Sequence, residues 1–307
     1  SILLPVRNEV LTIKKTIESL LNQDYPSDKL ELIIADGDSD DGTKKILNNF
    51  NNKYSKIIII NNSGKTMPKG FNQALILSKS EIIVMVGGHS KLPKNYISKS
   101  VKNINTFKVE CSGGILDTIG KDYWGKIIAS TISSIFGVGN VSFRLRKSKS
   151  GFVKSVPFGC YKKSIFEKLD FLDEELIRNQ DDEFNFRIIQ YGGRIWQDSS
   201  LVVKYYSRSN LINLFKQYFE YGLYKVRVIQ KRKEVISLRH LIPSIFILSL
   251  LIPPLSKIIF LIYYTTNLFF SFNLSKLNVL KLFSFQLTYF IIHLSYGIGF
   301  LYGLCKF

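Results

Sequence analysis

The chain has 307 residues, 46% of them apolar, which is enough for one large hydrophobic core and an appended region. Its net charge of +18 implies an anionic partner, namely a membrane surface, a nucleic acid or a phosphorylated substrate. Nucleic acid is disfavoured because no zinc-finger, helix-turn-helix or RNA-binding motif occurs, while three histidines and three scattered cysteines exclude a poly-histidine zinc site and favour a reducing, cytosolic compartment.

Strands and helices alternate over the first hundred residues. Short apolar runs predict strands at Ile2–Val6, Leu30–Ala35, Ile57–Ile60 and Ile82–Val86, and helical spacing predicts helices at Val10–Leu21, Thr43–Phe50 and Pro68–Leu77. Ser39 and Asp40 are candidate caps of the second helix, and Pro68 suits the first turn of the third. This order predicts an α/β fold with a mostly parallel central sheet, whose ligands bind beyond the carboxyl ends of the strands.

Residues at these strand ends are the candidates for ligand binding. They are Pro5, Arg7, Asn8 and Glu9 after the first strand, Asp36 and Asp38 after the second, and Gly87, Gly88 and His89 after the fourth. The absence of G-x-G-x-x-G and G-x-x-x-x-G-K-[ST] motifs disfavours a dehydrogenase-type dinucleotide site and a P-loop. The Asp36 carboxylate can accept a hydrogen bond from a nucleobase or a ribose hydroxyl; the alternative is ordinary turn chemistry.

Two further features of the loops have open interpretations. His89 is a lone loop histidine, a residue that is more often not a metal ligand, but Gly87 and Gly88 beside it allow backbone to approach a phosphate closely. The basic stretch Phe143–Lys154 either clamps a pyrophosphate or is a solvated loop; its cations are Arg144, Arg146, Lys147, Lys149 and Lys154.

An acidic triplet, Asp181-Asp182-Glu183, lies between Gln180 and Arg187 in an otherwise basic chain. A carboxylate positioned there can act as a general base toward a hydroxyl group. The alternative is the polar start of a surface helix, where negative charge is favourable near the helix N-terminus.

The last third of the chain changes character. Residues 211–228 are amphipathic and aromatic, with Gln217 among them, and residues 225–240 hold six Lys or Arg against one Glu. Residues 241–307 contain four lysines and no acidic residue. We therefore predict a catalytic domain at 1–210, a basic interfacial segment at 211–240 and a membrane domain at 241–307.

The membrane domain has two or three predicted membrane segments. Leu282–Leu304 carries no formal charge and is long enough to cross a bilayer. Leu241–Phe272 is interrupted by Pro253, Pro254 and Lys257, so it forms either one kinked span or a re-entrant pair. The alternative for the whole tail is a buried helical hairpin of a soluble protein. Deleting residues 241–307 is expected to leave a folded domain.

Several of these motifs occur together in one known family. They are Pro5-x-Arg7-Asn8-Glu9, the string Asp36–Thr43, Gly70–Ala74, Phe136–Asn140, Asn179–Glu183, Gln217-x-x-x-Tyr221-Gly222 and His293-x-x-Tyr296-Gly297-x-Gly299. The chain resembles the family 2 glycosyltransferases of the GT-A fold, and within them the succinoglycan-biosynthesis type. The resemblance extends over nearly the whole chain, including the tail.

The resemblance implies an inverting enzyme that uses a nucleotide-diphosphate sugar and a lipid-linked saccharide acceptor in exopolysaccharide- or capsule-type glycan synthesis. The enzyme would lie at the inner membrane of the cell with its catalytic domain in the cytoplasm. Asp181 would be the catalytic base and Asp36 would face the nucleobase. The donor would contact Pro5, Arg7, Asn8, Glu9, Asp38, Asn72, Gly87 and Gly88, while Gln180, Asp182, Glu183, Arg187 and Gln217 would contact or support the acceptor site.

The chain departs from the family pattern at three places. Gly87 stands where the family has the first metal-binding Asp, which leaves His89 as a weak ligand for Mn²⁺ or Mg²⁺ and favours Mn²⁺. Gln180 stands where many relatives have Glu. Glu220 and Tyr221 replace the Arg-Trp of the Gln-x-x-Arg-Trp signature, so processive synthesis is not expected. The alternatives are a catalytically weak paralogue that serves as a membrane-bound subunit, and a basic membrane-surface scaffold.

Overall fold

The computed structural model describes residues 1–145, 148–233 and 238–307. Within these ranges the strands are β1 (Ile2–Val6), β2 (Leu32–Asp36), β3 (Ile57–Asn61), β4 (Ile82–Met85), β5 (Ser90–Lys91), β6 (Cys111–Ile119), β7 (Gly151–Val153), β8 (Cys160–Lys162) and β9 (Ile195–Tyr206). The α-helices are α1 (Ile13–Leu21), α2 (Thr43–Lys53), α3 (Met67–Leu77), α4 (Tyr96–Phe107), α5 (Tyr123–Thr131), α6 (Ile135–Val138), α7 (Lys163–Leu169), α8 (Gln180–Gln190), α9 (Leu211–Arg232), α10 (Ile242–Ser249), α11 (Pro253–Ser275) and α12 (Val279–Lys306).

The strands form one sheet with four parallel strands at one end, in the order β3-β2-β1-β4. Beyond β4 the order continues through β8, β6, β9 and β5, with antiparallel pairing of β8 to β4 and to β6. Val6 lies opposite Asp36, and Asp36 lies opposite Asn61, so the carboxyl ends of β1, β2 and β3 are level. The prediction of an α/β fold around a mostly parallel sheet is confirmed.

Both faces of the parallel strands are covered, which explains why β1 and β2 are apolar without alternation. Every residue of these two strands is buried. On one face, Phe71 of α3, Phe166 of α7 and Phe184 of α8 join the same core cluster as Leu3 and Ile33. The rings of Phe166 and Phe184 stack with their centroids 4.4 Å apart, which fixes α8 beside α7.

The start of α2 differs from the prediction, because neither Ser39 nor Asp40 caps it. The N-cap position is Gly42, with φ +100°. Ser39 and Asp40 instead bond to Asp36 and Asn8 in the preceding turn. The residue nearest the expected capping role is Asp41, whose carboxylate accepts the Thr43 amide at 2.9 Å.

The chain divides into two compact units. The first comprises Ser1–Asp117 and Arg146–Tyr205, and the second comprises Thr118–Leu145 and Tyr206–Phe307. The sequence pattern assigned residues 118–145 to the predicted catalytic domain, whereas in the structure they fall in the same compact unit as the helices of the tail. The signal for this was absent from the local sequence, because the segment reads as ordinary apolar helix.

The second unit is built around α12. In α9 and α12 the contacting residues rise in number together, from Phe219 with Gly299 to Leu223 with Gly303, so the two helices run parallel. In the part of the chain that the structure describes, two helices, α11 and α12, are long and apolar enough to cross a membrane. The break between α10 and α11 lies at residues 250–252, immediately before Pro253 and Pro254.

Candidate active site

Asp36 ends β2 and organises the turn that follows it. Its carboxylate accepts hydrogen bonds from the Ser39 hydroxyl at 2.6 Å and the Ser39 amide at 3.2 Å, and only 5% of the residue is exposed. The Gly37 amide donates to the carbonyl of Val6 on β1 at 2.8 Å. Each carboxylate oxygen can accept more than one bond, so Asp36 retains capacity for a ligand at the level end of three strands.

The turns after β1 and β2 are bonded to each other at several points. The Asn8 side chain donates to Asp40 at 2.9 Å and accepts the Asp40 amide at 3.0 Å. The Glu9 amide donates to Thr43 and the Val10 amide to Asp41, at 2.9 and 3.0 Å. The pairing holds Asn8 in a left-handed conformation with φ 57°. The turns after β1 and β2 therefore form one hydrogen-bonded loop pair.

Asp38 is exposed and lies between two lysines. Its carboxylate is 2.5 Å from Nζ of Lys44 and 2.9 Å from Nζ of Lys65. The hydrogen bonds from Lys44 and then Lys65 lower the pKa of Asp38 to about 2. Arg7 is exposed beside Gly37. Together with Lys44 and Lys65 it places three cations at the edge of the sheet where β1 and β2 end.

The segment after β4 approaches Glu9 closely. A Cβ on Gly88 would lie 2.8 Å from Cγ of Glu9, so a side chain at residue 88 would displace Glu9. Nδ1 of His89 is 2.9 Å from Oε1 of Glu9, and the His89 ring meets the Tyr205 ring edge-on. The structure thus brings together Glu9, Gly88 and His89, because β4 pairs with β1 in the sheet.

A divalent metal does not fit these residues as a protein-held ion. Within the described ranges, no group of three or more His, Cys, Asp or Glu side chains is placed to hold a metal ion. Mg²⁺ requires near-octahedral oxygen ligands, and Glu9 and His89 already bond each other. A Cβ at Gly87 would lie 3.1 Å from the Phe158 ring. An aromatic side chain therefore occupies the space that an Asp side chain at residue 87 would need.

Phe158 is a residue that sequence reasoning missed. Its φ of 49° is in the left-handed region, which is uncommon for a bulky residue, and its carbonyl accepts the Tyr96 hydroxyl at 2.8 Å. The only signal in the sequence was its position between Pro157 and Gly159, which is typical of a turn.

The acidic triplet forms the first turn of α8, which begins after Asn179 in a left-handed conformation. Asp181 and Asp182 are half-buried, and Oδ1 of Asp181 accepts the amide of Asp182 at 2.9 Å. Glu183 is fully buried and pairs with Arg187, whose Nε lies 2.8 Å from Oε1 of Glu183. Glu183 and Arg187 are therefore placed to support the helix, while Asp181 and Asp182 stay closer to the surface.

Arg187 also fixes α8 to the end of α7. Its guanidinium donates to the carbonyls of Leu169, Asp170 and Phe171, which follow or end that helix. Asn185 adds a second attachment, since its amide accepts the Tyr161 hydroxyl at 3.0 Å and donates to Ser155 at 2.9 Å.

Three predicted residues lie elsewhere. Asn72 is buried in α3, where its amide bonds to both backbone groups of Leu172, at 2.9 and 3.1 Å. Pro5 is buried within β1. Gln217 belongs to the second unit, where it donates to the Tyr221 hydroxyl at 3.0 Å. Arg146 and Lys147 of the predicted basic clamp lie outside the described residues.

Comparisons with known proteins bear on the first unit and on the whole chain. Residues 1–170 match the family model described as Glycosyl transferase family 2. A dolichyl N-acetyl-alpha-D-glucosaminyl phosphate 3-beta-D-2,3-diacetamido-2,3-dideoxy-beta-D-glucuronosyltransferase of Methanococcus voltae is 27% identical over 100% of this chain and 97% of its own length. The succinoglycan biosynthesis protein ExoA of Rhizobium meliloti is 25% identical over 79% of this chain and 73% of its own.

A solved structure supports the fold independently. The mannosyltransferase PcManGT of Pyrobaculum calidifontis, in complex with GDP-Man and Mn²⁺, has a TM-score of 0.64 at 14% identity. The match covers 96% of this chain and 86% of that one. At this identity the likeness shows the fold, which is the GT-A fold expected from the sequence.

Proposed function

We propose that this chain, which belongs to glycosyl transferase family 2, transfers a sugar with inversion from a nucleotide-diphosphate donor to a hydroxyl of a lipid-linked saccharide. The product would be a glycan of the exopolysaccharide or capsule type. The catalytic unit would face the cytoplasm at the inner membrane. Support comes from the Methanococcus relative, whose name gives a transferase acting on a dolichyl-linked sugar phosphate, and from the Rhizobium relative, which is named for succinoglycan biosynthesis.

The observation that carries the catalytic assignment is that the three carboxylates in the first turn of α8 differ in burial and in ion pairing. Glu183 is neutralised by Arg187 inside the protein, which leaves Asp181 and Asp182 as the half-buried carboxylates of the turn. Asp181 precedes the buried turn of the helix, and its backbone is held by the attachments of α8 to α7 and β8. A carboxylate fixed in this way is suited to general-base catalysis.

In the proposed reaction, Asp181 takes the proton of the acceptor hydroxyl as its oxygen attacks the anomeric carbon. The bond from that carbon to the diphosphate oxygen breaks on the opposite face, and the electron pair leaves with the nucleoside diphosphate. Asp36 accepts a hydrogen bond from the nucleobase or the ribose. Arg7 and the lysines beside Asp38 are the available cations for the diphosphate charge at this edge of the sheet.

Replacing Asp181 by Asn tests the assignment, with Asp182→Asn as the matched control. Turnover should fall by at least about 100-fold for Asp181→Asn, the low end for loss of a general base, while calorimetry with the donor nucleotide shows unchanged affinity. Asp182→Asn should be milder. If Asp181→Asn keeps wild-type turnover and Asp182→Asn is inactive, the base is Asp182.

A second candidate function is a catalytically weak paralogue that serves as a nucleotide-binding subunit of a glycan-assembly complex. The observation in its favour is the pairing of Glu9 with His89 and the Phe158 ring beside Gly87, where a metal-binding carboxylate is expected. Binding of a nucleoside diphosphate without turnover of any nucleotide sugar, with or without Mn²⁺, would favour this function.

A further inference from the structure

The tail of the second unit exposes a large apolar surface that no described part of the chain covers. It includes Ile245 of α10, Leu251 in the following turn, Ile258, Leu261 and Phe269 of α11, and Phe283 of α12, all more than 36% exposed. The only charged residues at 241–307 are lysines, at 257, 276, 281 and 306. An apolar surface bordered by cations and lacking carboxylates is complementary to a bilayer that contains anionic lipid.

The opposite side of α12 is covered along most of its length. Near its start, Phe285 and Tyr289 pack with Ile127 of α5 and with Phe136 of α6. Tyr123 donates to or accepts from Ser284 at 2.8 Å, and Ser134 and Tyr289 are bonded at the same distance.

Further along, Ile292 of α12 packs with Ile128 of α5 and with Leu214 and Tyr218 of α9. The backbones of α9 and α12 then come into contact at Gly222 and Gly299, which continues the cover toward the C-terminus. α12 is 44% buried over its most apolar stretch, whereas the corresponding stretch of α11 is 17% buried.

The covering helices carry exposed charges next to the residues that pack on Phe285, Tyr289 and Ile292 of α12. Lys126 adjoins Ile127 and Ile128 in sequence, and Lys216 lies between Leu214 and Tyr218; both lysines are exposed. A span needs about 20 residues of α12, and every such stretch of residues 279–306 contains residues 287–298. A spanning α12 would therefore carry at least one of Lys126 and Lys216 into the hydrocarbon, where charged side chains are strongly disfavoured.

α11 shares the position of α12 because the two form a tight hairpin. The Tyr263 hydroxyl bonds to His293 at 3.0 Å, and the Asn267 amide donates to the Gln286 carbonyl at 3.1 Å. Only residues 276–278 separate the helices. If α12 does not span the membrane, α11 therefore does not span it either.

We propose that α10, α11 and the outer face of α12 insert into one leaflet of an anionic bilayer and return to the same side, so that the protein is monotopic. This inference deepens the membrane attachment proposed above and is independent of the transfer reaction. It is an alternative to the expected spanning segments: α11 and α12 have the length and apolarity of a span, and the exposed lysines on the helices that cover α12 argue against one.

The test is the sidedness of the two ends of the hairpin, measured on the full chain in sealed membrane vesicles from expressing cells with a membrane-impermeant maleimide. Native Cys305 reports the end of α12, and Lys281→Cys in a Cys305→Ser background reports the hairpin turn. Asn273→Cys in the same background is a second reporter of that turn if Lys281→Cys fails to fold. Cys111 and Cys160 are buried, so Cys305→Ser alone measures the background.

Ser55→Cys, also in Cys305→Ser, marks the side on which the first unit lies. We expect the two ends of the hairpin and Ser55→Cys to be labelled to the same fraction before detergent is added. Labelling of the turn only after detergent, together with full labelling of Cys305, would show a span and overturn the proposal. Loss of Asp181-dependent turnover would leave this result unchanged.

Vesicle flotation separates a lipid surface from a protein partner. The purified chain should float with phosphatidylethanolamine vesicles containing a quarter phosphatidylglycerol, and less with phosphatidylcholine alone. A chain that stays at the bottom of the gradient and sediments as a dimer would mean that a second copy covers the apolar surface, and the proposal would fail.

Discussion

The Arg187 guanidinium joins two parts of the first unit. Within α8 it pairs with Glu183 and lies 4.8 Å from the centroid of the Phe184 ring, and it donates to the carbonyls at the end of α7. Arg187→Met would keep the length of the side chain and remove the charge. The buried Glu183 carboxylate would then lose its ion pair with Arg187, a change that costs about 3–5 kcal/mol. Urea unfolding of the full chain in detergent measures the loss.

Lys15→Met is the control for Arg187→Met, because Lys15 is an exposed cation in α1. Its free energy of unfolding should change by no more than about 0.5 kcal/mol. Equal stability of the two variants would mean that the buried pair contributes no net stabilisation.

Asp38 should titrate well below an ordinary aspartate. Its pKa is lowered to about 2 by Lys44 first and then Lys65. A carboxylate with a lowered folded-state pKa stabilises the fold above its ordinary pKa, and this contribution disappears as the pH falls through about 2. The carboxylate is exposed, so we expect a clear titration shift and little change in stability.

Carbon-13 NMR of the Asp38 carboxyl group measures this pKa directly. Lys44→Ala and Lys65→Ala should each raise it, while Lys45→Ala, at an exposed neighbouring position, should leave it unchanged. A midpoint near the ordinary 3.8 in the unaltered chain would show that the two ion pairs do not persist in solution.

The sequence predicted which residues follow the strand ends better than it predicted their contacts. Asp36, Glu9 and His89 are brought to one edge of the sheet because parallel strands end together, which the βα order implies. The burial of Glu183 and Arg187 could not be predicted, since it depends on the carbonyls at 169–171 that the chain folds back to meet. Spacing of four residues in a helix predicts the pair and not its burial.

At the scale of elements, the contact of α9 with α12 requires glycine. A Cβ at Gly222 would lie 2.1 Å from the carbonyl oxygen of Tyr296. Gly222→Ala gains up to about 1 kcal/mol of helix propensity but forces two backbones apart, a cost of about 1–3 kcal/mol or more. We expect a lower unfolding temperature in detergent.

Gly151→Ala provides the comparison for Gly222→Ala, because nothing lies within 4 Å of a Cβ built at Gly151. Its unfolding temperature should be nearly unchanged. If both variants behave alike, α9 and α12 are farther apart in solution than the glycine contacts imply.

The loop between β7 and β8 places the Phe158 ring beside Gly87, so we expect this loop to limit the response to metal. Gly87→Asp alone should not create a strong site, because its side chain would meet the Phe158 ring at 3.1 Å. Gly87→Asp combined with Phe158→Ala should make donor binding depend more on Mn²⁺, since a carboxylate then has room beside His89. Donor affinity measured with Mn²⁺ and with EDTA tests both variants.

The unaltered chain should show weak or Mn²⁺-biased stimulation of donor binding. Phe158→Ala by itself controls for the loss of the ring. Activity abolished by EDTA and restored fully by Mg²⁺ in the unaltered chain would contradict this expectation and would require ligands other than Glu9 and His89.

Elements were predictable where local pattern decides them. The strand at Ile2–Val6 has the predicted bounds, and α3 begins one residue earlier than expected. α1 begins at Ile13 rather than Val10, because residues 10–12 are held in the turn by bonds to Glu9 and Asp41. Such bonds between distant turns leave no periodic trace in the sequence.

For the whole molecule, removal of residues 241–307 should be more damaging than the sequence suggests. Phe136 packs on Tyr263, Phe270, Tyr289 and His293 of the tail, and Ile128 packs on Ile292. Truncation exposes these partners in residues 118–145. We expect the truncated chain to require detergent for solubility, as judged by size-exclusion chromatography.

Membrane extraction of the full chain is the companion measurement. High salt and carbonate should fail to release it, because apolar insertion is not screened by salt, and detergent should succeed. Release by salt alone would mean that lysines, and not the apolar surface, hold the chain to the membrane. Solubility of the truncated chain without detergent would show that residues 118–145 fold independently of the tail.

The same contacts impose an order on biosynthesis. Phe136 can pack on His293 only after that residue has been translated, 157 residues later. At roughly 5–20 residues per second, the ribosome needs about 8–30 s to deliver that partner. During this interval the apolar faces of α5 and α6 are exposed on the nascent chain, so cells with depleted chaperones should accumulate aggregates of ribosome-bound intermediates before finished protein is affected.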